Sequence, residues 1–404
     1  MSFPNPFTPG AGHPPPYLAG REDEKHEFAR LLEQETILDN LVLTGLRGIG
    51  KTVLLDQFRP LAMTRHWLWV GSDLSESSSV DEERLATRLL TDLAVATSGI
   101  EVTSGHSTIG FGRASAGPRY ESLDYDSLRG IYNQTPGLVS DKLKRVFEVV
   151  WDVISTLDAP IPGIVFAYDE VQNMSDHPER QQFPLALLLD IFQSIQRRGI
   201  RFLLVLAGLP TLFSKLVDAR TFAERMFRVV FLKRLDEHHS REAILRPIAV
   251  KQCPVQIDDQ SLRAIIGNAG GYPYFIQFIC REVYDAFLSN FQRTQRYGSV
   301  PLAEITRKLD ADFFAGRWNR VTDRQRDLLY IIAALESSED EFTVAEIVER
   351  SRTLGGKPFS SSHVNQMLGA LVSSGLVYKN RHGRYSFAVP LFGSFVLRQM
   401  SAGA

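Results

Sequence analysis

The stretch GLRGIGKT, residues 45–52, contains residue types that can hold phosphate groups. Its glycines allow backbone N–H groups to wrap an anion, and a helix starting behind them would add partial positive charge. The apolar stretch NLVLT precedes it and a helical pattern follows, which is the context expected of a phosphate-binding loop. The sequence therefore predicts a nucleotide site with contacts from Gly45, Arg47, Gly48, Gly50, Lys51, Thr52 and Val53.

Four side chains divide the chemistry that hydrolysis of ATP requires. We expect Lys51 to act on the β and γ phosphates during catalysis, and the Thr52 hydroxyl to help hold Mg²⁺. Asp169 and Glu170 close the apolar stretch GIVFAY. Asp169 is the expected metal-side carboxylate, and Glu170 is the expected base that polarises the attacking water. The presence of both acids favours hydrolysis over binding alone.

Several further residues are candidates for contact with the γ-phosphate. Arg225 is a candidate arginine finger offered to a neighbouring subunit, and Arg220 and Arg228 compete with it for that role. A surface ion pair is the alternative for each of these arginines. Thr211 is the polar residue that could sense the γ-phosphate after the stretch RFLLVLAG, although its position is late.

The elements that must position these residues follow an alternating pattern. Short apolar stretches without polar alternation are separated by amphipathic helical patterns, which indicates a parallel sheet buried on both faces. The predicted fold class is α/β, with a three-layer P-loop core, a helical lid and a C-terminal winged helix. The predicted segments are an N-terminal arm at 1–20, an ATPase core at 21–235 with an irregular insertion at 98–140, a lid at 236–318 and a winged helix at 322–404.

The insertion and the arm each leave two interpretations open. A connection as long as 98–140 is usually functional or disordered. It is either a β-hairpin excursion with a mobile loop or a contact surface for a neighbouring subunit or ligand. The arm at 1–20 is rich in Pro and Gly, so it either lies on the domain or stays loose.

Composition leaves the binding partner open. The chain has 404 residues, of which 44% are hydrophobic, and a formal charge of -2, which gives no general attraction to nucleic acid or anionic membranes. Cys253 and Cys280 lack the spacing of a zinc site and lie in apolar patterns, so we expect reduced core residues. No apolar run is long enough to span a bilayer, which predicts a cytoplasmic protein without membrane contact.

The C-terminal pattern of three helices and a hairpin is typical of a winged helix, but its charges do not decide what it binds. Residues 322–404 contain nine Lys or Arg against eight Asp or Glu, and the expected recognition helix, SSHVNQMLGALVSSG, contains no Lys or Arg. The hairpin tip is basic, and it could grip a phosphate backbone or simply be a solvated turn. Its cations are Lys379, Arg381, His382 and Arg384, preceded along the chain by Arg293, Arg296, Lys308, Arg317 and Arg320.

The motifs GLRGIGKT, FAYDEVQ, LAGLP, ERMF and GGYPYF, in this order and followed by a winged helix, resemble the AAA+ and STAND-type ATPases of prokaryotes. The nearest layouts are the archaeal-ATPase group, the transposition and secretion ATPases with DEAQ-like motifs, and the origin-recognition and helicase-loader initiators. The resemblance covers nearly the whole chain and includes the Walker A and Walker B motifs.

The resemblance implies roles for residues outside those two motifs. Gly20-Arg21-Glu22 would pack near the adenine, and Gln172 would couple the attacking water to the nucleotide state. Gly271 and Pro273 match the GxP turn of the STAND lid, which places backbone against the nucleotide. The arginine that initiators carry in the lid helix has no counterpart here, which favours the STAND-like branch. Arg281 could substitute for it in part.

Three functional hypotheses follow. In the first, the protein is a Mg²⁺-dependent ATP switch that assembles on DNA through Lys379, Arg381 and Arg384 and acts on another protein there. In the second, it is a STAND-like signalling or defence ATPase that oligomerises, uses its winged helix as a protein contact, does not bind DNA and needs a separately encoded partner. The third, a nucleotide-stabilised scaffold without turnover, is disfavoured because Asp169 and Glu170 are both present.

Overall fold

The computed structural model describes residues 4–10, 12–74, 81–100, 122–354, 358–381 and 383–402. The chain separates into two compact units, each assembled from discontinuous segments. The sheet unit comprises residues 22–44 and 54–231. The lid unit comprises residues 1–21, 45–53 and 232–404.

The sheet unit is built on five parallel strands. They are β1 (Asn40–Thr44), β2 (Leu68–Asp73), β3 (Ile164–Asp169), β4 (Phe202–Gly208) and β5 (Phe227–Phe231). Their order across the sheet is β2-β3-β4-β1-β5. Strands β1, β3 and β4 are buried along their whole length, as expected for central strands covered on both faces. The α/β P-loop fold class predicted from the sequence is confirmed.

The strand order brings several chain segments to one edge of the sheet. Thr44 at the end of β1 is in register with Gly208 at the end of β4. Asp73 at the end of β2 is in register with Asp169 at the end of β3. One strand, β4, separates β1 from β3, so the ends of β1 and β3 lie about 10 Å apart.

Helices connect the strands and bury the sheet. They are α1 (Glu22–Leu32), α2 (Lys51–Met63), α3 (Glu82–Thr97), α4 (Tyr125–Gln134), α5 (Val139–Ser155), α6 (Pro184–Gln196), α7 (Leu212–Ala219) and α8 (Ala223–Met226). Aromatic side chains from α5, α6, β3 and β4 pack edge to face or tilted in the core, where ring centroids lie 5.0 to 5.8 Å apart. Their members are Phe147, Phe166, Phe192 and Phe202.

Part of the segment 98–140 is regular, which corrects the expectation of an irregular insertion. Residues 125–134 form α4, because Asp124 caps the helix through the backbone N–H of Ser127 and Leu128, Ile131 and Tyr132 are buried on one face. Residues 101–121 lie outside the described part of the chain, so the hairpin and contact-surface interpretations remain open there.

The lid unit is mainly helical. Its helices are α9 (Glu237–Val250), α10 (Asp259–Ala269), α11 (Pro273–Thr294), α12 (Leu302–Leu309), a π-helical turn at Asp310–Phe314, α13 (Ala315–Trp318), α14 (Asp323–Ala333), α15 (Val344–Thr353), α16 (Ser361–Ser373) and α17 (Phe392–Ala402). A three-stranded sheet with order β6-β8-β7 accompanies the last of these. Its strands are β6 (Phe342–Thr343), β7 (Val377–Arg381) and β8 (Arg384–Phe387).

The C-terminal elements appear in the order expected from the sequence, namely α14, α15, α16 and then the hairpin β7–β8. Strand β6 was not foreseen, because two residues are too short to show alternation. It pairs with β8 through Phe342 and Tyr385.

The N-terminal arm lies on the lid unit. Phe7 is buried and its ring meets that of Tyr284 edge to face, with 6.5 Å between centroids. The Asn5 side chain donates to the Arg281 carbonyl oxygen (2.9 Å) and to an Asp285 carboxylate oxygen (2.8 Å). Asn5 and Phe7 of the arm therefore lie on the domain and are not loose.

Both cysteines are free thiols; Cys280 is buried, as predicted for a core residue, whereas Cys253 is only half-buried. Burial raises the pKa of the Cys280 thiol well above its usual range. Among the described residues, no helix is long and apolar enough to cross a membrane.

Candidate functional site

The phosphate-loop sequence connects β1 to α2 and depends on its glycines for shape. Gly48 (φ +74°) and Gly50 (φ +95°) have left-handed backbone conformations that favour glycine. A Cβ on Gly48 would come within 3.0 Å of the Tyr274 Cβ, whereas one on Gly50 would meet no described atom within 4 Å. Gly50 is therefore required by backbone conformation, and the space beside it is open.

Lys51 is the first residue of α2, and only 7% of its surface is exposed. The Nζ group donates to the carbonyl oxygens of Gly45 (3.0 Å) and Leu46 (3.1 Å). The ammonium group thus folds back over the loop at the N-terminus of α2. An anion bound there would be attracted by the charge of Lys51 and by the partial positive charge of the helix N-terminus. Thr52 and Val53 follow it in the first turn and are half-buried.

Arg21 ties the start of the chain to this loop. Its buried guanidinium donates to the carbonyl oxygens of Ile49 (3.2 Å) and Lys233 (2.9 Å). The Arg21 side chain thereby holds the backbone of the loop at Ile49 and the backbone at Lys233 in place. A contact of Gly20-Arg21-Glu22 with adenine remains a prediction.

The GGYP turn reaches the same loop through a residue that the sequence did not single out. Pro273 begins α11, and the next residue, Tyr274, donates its backbone N–H to the Gly48 carbonyl oxygen (3.2 Å). Backbone N–H groups in the first turn of a helix have no partner within the helix. Since a proline often occupies the first helical position, Pro273 indicates that the N–H of Tyr274 is one of these groups. This signal could have identified Tyr274 from the sequence.

Gly271 has a structural reason of its own. A Cβ at this position would lie 2.3 Å from the Leu235 carbonyl oxygen, and the Gly271 carbonyl accepts from the Leu235 N–H (2.8 Å). The turn is therefore held against the segment that precedes α9. Arg281 forms an ion pair with Glu282 (3.0 Å) on α11.

Arg47 projects from the loop and is exposed. A Cβ on Gly375, just after α16, would lie 3.6 Å from an Arg47 Nη atom. Burial, and then the positive charge of Arg47, lowers the pKa of Arg317. The loop therefore carries a cation toward α16 and toward a second arginine.

The end of β3 collects negative charge. Asp169 is buried, and one of its carboxylate oxygens accepts the backbone N–H of Glu170 (2.7 Å). Partial burial of the Asp56 carboxyl, followed by the charges of Asp169 and Asp73, raises the pKa of Asp56. The contributions of Asp169 and Asp73 to the pKa of Asp56 indicate a negative potential at this edge, which a bound cation would relieve.

Glu170 is held in a defined place. Its backbone is left-handed (φ +53°), and its carboxylate accepts from the Gln172 side-chain amide. The Gln172 Oε1 atom accepts from the Leu209 N–H just beyond β4 (3.0 Å), and the Gln172 carbonyl accepts from Lys215 Nζ (2.6 Å). Gln172 therefore connects the expected base to the end of the neighbouring strand, which makes it a positioning residue for Glu170.

The three candidates for the arginine finger differ in whether their side chains form ion pairs. Arg220 forms a two-point ion pair with Asp190 (2.8 and 2.6 Å), which raises its pKa, and Arg228 pairs with Glu27 (2.6 Å). Arg225 on α8 is exposed and makes no side-chain ion pair with the described residues. Thr211 likewise makes no side-chain hydrogen bond within the described ranges.

The residues present fit Mg²⁺ and a nucleotide. Mg²⁺ prefers oxygen ligands, and Asp169 supplies a buried carboxylate beside Asp73 and Asp56. The Thr44 hydroxyl, at the end of β1, is buried and has no hydrogen-bond partner among the described residues. A buried hydroxyl without a partner at this edge is consistent with a bound polar group.

The hairpin tip offers cations beside acids. Lys379 is exposed and Arg384 is half-buried, but Asn380 donates to Glu341 (3.0 Å) in the acidic segment before β6. His382 and the Arg381 side chain lie outside the described part of the structure. Of the cations that precede this unit, Lys308 pairs with Glu282 (2.8 Å).

Comparison with solved structures supports the fold. The chain is similar to the Walker-type ATPase PABY2304 of Pyrococcus abyssi, with 15% identity, a TM-score of 0.56, and coverage of 94% of this chain and 96% of that one. It is also similar to the ADP form of the ORC2 protein of Aeropyrum pernix, with 14% identity, a TM-score of 0.52, and coverage of 96% and 97%.

Residues 311–396 match a family described as "Domain of unknown function (DUF8462)". No curated protein matches the chain. Together with the strand order, the structural similarities show that the chain has the fold of the AAA+ P-loop ATPases.

Proposed function

We propose that the protein is a Mg²⁺-dependent ATPase that works as a nucleotide switch. The observation that carries the proposal is the placement of Glu170, which follows the buried Asp169 and is held by Gln172. A chain that only bound nucleotide would have no need to fix a carboxylate here. The chain's similarity to a Walker-type ATPase and to an ADP-bound protein supports the same function.

In this proposal, the loop binds the phosphates through its backbone. The conformations of Gly48 and Gly50 allow N–H groups to face an anion, and Lys51 can exchange its carbonyl partners for phosphate oxygens. Thr52 and Asp169 would hold Mg²⁺, which would neutralise developing charge on the phosphates. Arg47 and Val53 would line the same loop.

Glu170 would accept the proton of the attacking water. An ionised carboxylate held by an amide N–H is oriented without being neutralised, so it can act as a general base. Gln172 also bonds to the backbone just after β4, and a displacement there would move the base. This is how Gln172 would couple water activation to the nucleotide state.

The lid turn would transmit that state. Tyr274 is bonded to the Gly48 carbonyl, so a change in the loop on phosphate release alters a contact at the start of α11. A switch requires contacts that differ between its two states, and this bond is one that can differ. Pro273, at the same helix start, would keep the turn close to the nucleotide.

Arg225 would act in a neighbouring copy of the protein. It makes no side-chain ion pair with the described residues, whereas Arg220 and Arg228 are engaged by Asp190 and Glu27. An arginine offered across subunits predicts that turnover rises with protein concentration as a homo-oligomer forms.

Binding of DNA through the proposed winged helix is the first candidate for the output. Lys379 and Arg384, together with Arg381, would contact phosphates. The second candidate, a STAND-like protein contact, is favoured by the proximity of Gly375 to Arg47 and by the acids beside the hairpin. In that case the C-terminal unit would respond to the loop and bind a separately encoded protein.

Steady-state release of phosphate from ATP tests the proposal. Wild type should hydrolyse ATP, and Lys51→Ala and Glu170→Gln should not, while Glu179→Gln, in an exposed turn, should match wild type. Stimulation by duplex DNA that is lost in Lys379→Ala with Arg384→Ala would support DNA as the partner. Absence of hydrolysis in wild type, alone and with DNA, would contradict the ATPase assignment.

A further inference from the structure

Three potential metal ligands converge on the first two turns of α9. His238, His239 and Glu242 each place one ligand atom within 4.8 Å of those of the other two. The His238 Nε2 atom lies 3.9 Å from a Glu242 carboxylate oxygen, which is one helical turn away. Atoms that share one metal ion lie about 3 to 3.5 Å apart when each bond is about 2.1 Å, so small side-chain rotations would suffice.

A second observation concerns the orientation of His239. Its Nδ1 atom is 2.9 Å from an Asp236 carboxylate oxygen, and the same oxygen accepts the His239 backbone N–H (2.8 Å). A metal-binding imidazole usually donates its other ring N–H to a carboxylate, which fixes the ring and raises its basicity. Asp236 is placed to perform this function for His239.

The His239 ring also packs closely against the backbone of Gly20. Gly20 has a left-handed backbone (φ +60°), and a Cβ there would lie 2.7 Å from the His239 Cγ atom. Only glycine leaves room for the ring at this distance. Gly20 is also the residue predicted to lie next to the adenine.

The charges around the cluster suit a divalent cation. Asp236, Glu237 and Glu242 contribute three carboxylates within seven residues. The nearby cations are partly occupied, because Arg241 pairs with Asp259 (2.9 Å) and Arg246 lies 3.7 Å from the second oxygen of Glu242 and over the Tyr17 ring. His238 is exposed over 76% of its side chain, so one side of the cluster is open to solvent.

We propose that His238, His239 and Glu242 form a binding site for a divalent transition-metal ion of the zinc class, with water completing the coordination. Two imidazoles and one carboxylate suit Zn²⁺ and disfavour Mg²⁺, which prefers oxygen ligands. Its three ligands are not among the residues proposed to bind ATP, and the proposal does not depend on that function. It adds a second metal to the protein.

Titration of the full chain with Zn²⁺ in excess Mg²⁺, followed by calorimetry, tests this proposal. Wild type should bind one Zn²⁺ that His238→Ala and Glu242→Gln each weaken by at least tenfold. His177→Ala should retain wild-type binding, since His177 also lies near a carboxylate, Glu179, but outside the cluster. Circular dichroism of each variant checks that the fold is kept.

Two milder variants separate a metal site from an incidental cluster. Asp236→Asn preserves a side chain that caps helices well, yet it should weaken Zn²⁺ binding by about 10- to 100-fold by releasing the His239 ring. Gly20→Ala should weaken it without removing any ligand. The proposal is overturned if wild type binds no stoichiometric Zn²⁺, or if His238→Ala and Glu242→Gln bind it as wild type does.

Discussion

The loop at residues 45–52 and the strand end at residues 169–172 follow strands of one sheet, but they are built differently. In the loop, Gly48 and Gly50 provide unusual backbone angles, and the Lys51 side chain bonds to loop carbonyls. At the strand end, one backbone N–H bonds to the Asp169 carboxylate, and the Gln172 side-chain amide bonds to the Glu170 carboxylate. The loop depends mainly on the conformation of its glycines, whereas the strand end depends mainly on its two carboxylates, although Glu170 also has a left-handed backbone.

This difference separates binding from chemistry. A change that strains the loop should weaken the hold on phosphates, because N–H groups point correctly only from one backbone shape. A change that removes a charge at the strand end should leave the backbone intact and slow the chemical step. The two regions should therefore respond to different kinds of substitution and alter different kinetic quantities.

The largest expected effect is that of Glu170→Gln. The amide keeps the shape of the side chain but cannot accept the proton, so the rate of ATP hydrolysis should fall about 10²- to 10⁴-fold. Rapid-quench measurement of phosphate formation would show it. The matched variant Glu179→Gln should leave the rate unchanged, and an equal loss there would point to a general effect of charge.

The next effect is that of Gln172→Ala. This change removes the amide bonded to Glu170 and the acceptor of the Leu209 N–H. Hydrogen bonds to charged groups contribute about 1.5 to 3 kcal/mol, so hydrolysis should slow by about tenfold or more. Gln172→Glu should also slow hydrolysis, since a second carboxylate would repel Glu170 instead of donating a hydrogen bond to it. A rate of hydrolysis equal to wild type in both variants would refute the positioning role of Gln172.

A smaller effect is expected from Gly50→Ala. The left-handed conformation costs an L-residue about 1 to 2 kcal/mol, which should weaken ATP binding by about tenfold. Gly130→Ala is the control, because its Cβ also meets no described atom within 4 Å but it lies in α4. That change should stabilise the protein slightly, and equal losses of ATP affinity in both variants would contradict the conformational explanation.

The smallest effect is a pH dependence of stability. The pKa of Asp56 in the folded protein lies above its ordinary value of 3.8. Ionised Asp56 therefore destabilises the folded state, and the free energy of unfolding decreases as the pH rises through the folded-state pKa. Without Mg²⁺, Asp56→Asn should raise Tm relative to wild type at neutral pH and less so near pH 3.8. Asp39→Asn reports the effect of removing an exposed acid. A gain that grows toward low pH would have the wrong sign.

Much of the sheet could be predicted from the sequence because buried parallel strands appear as uninterrupted apolar runs. The stretches around β1, β3 and β4 show this, whereas the edge strand β5 is largely exposed and contains Arg228. The strand order could not be read, because every crossover leaves the same local pattern. Helix α4 was missed because Gly130 and the polar residues around it weakened the periodicity.

The candidate site divides in the same way. The motif around Lys51 and the acids at Asp169 and Glu170 are local in sequence and could be recognised. The bond from Tyr274 to Gly48 and the bond from Gln172 to Leu209 join distant segments, so only the structure shows them. The metal-ligand cluster on α9 is local, but its meaning depends on Asp236 and on the distant Gly20.

The most direct test measures ATP affinity and the single-turnover rate of bound ATP in parallel for Gly50→Ala and Glu170→Gln. Our account predicts that Gly50→Ala raises the Kd and leaves the rate of bound ATP close to wild type, whereas Glu170→Gln leaves the Kd and abolishes most of the rate. If both variants change the same quantity, the separation of binding from chemistry is wrong. If wild type binds ATP and never releases phosphate, the role of Glu170 as a base is wrong.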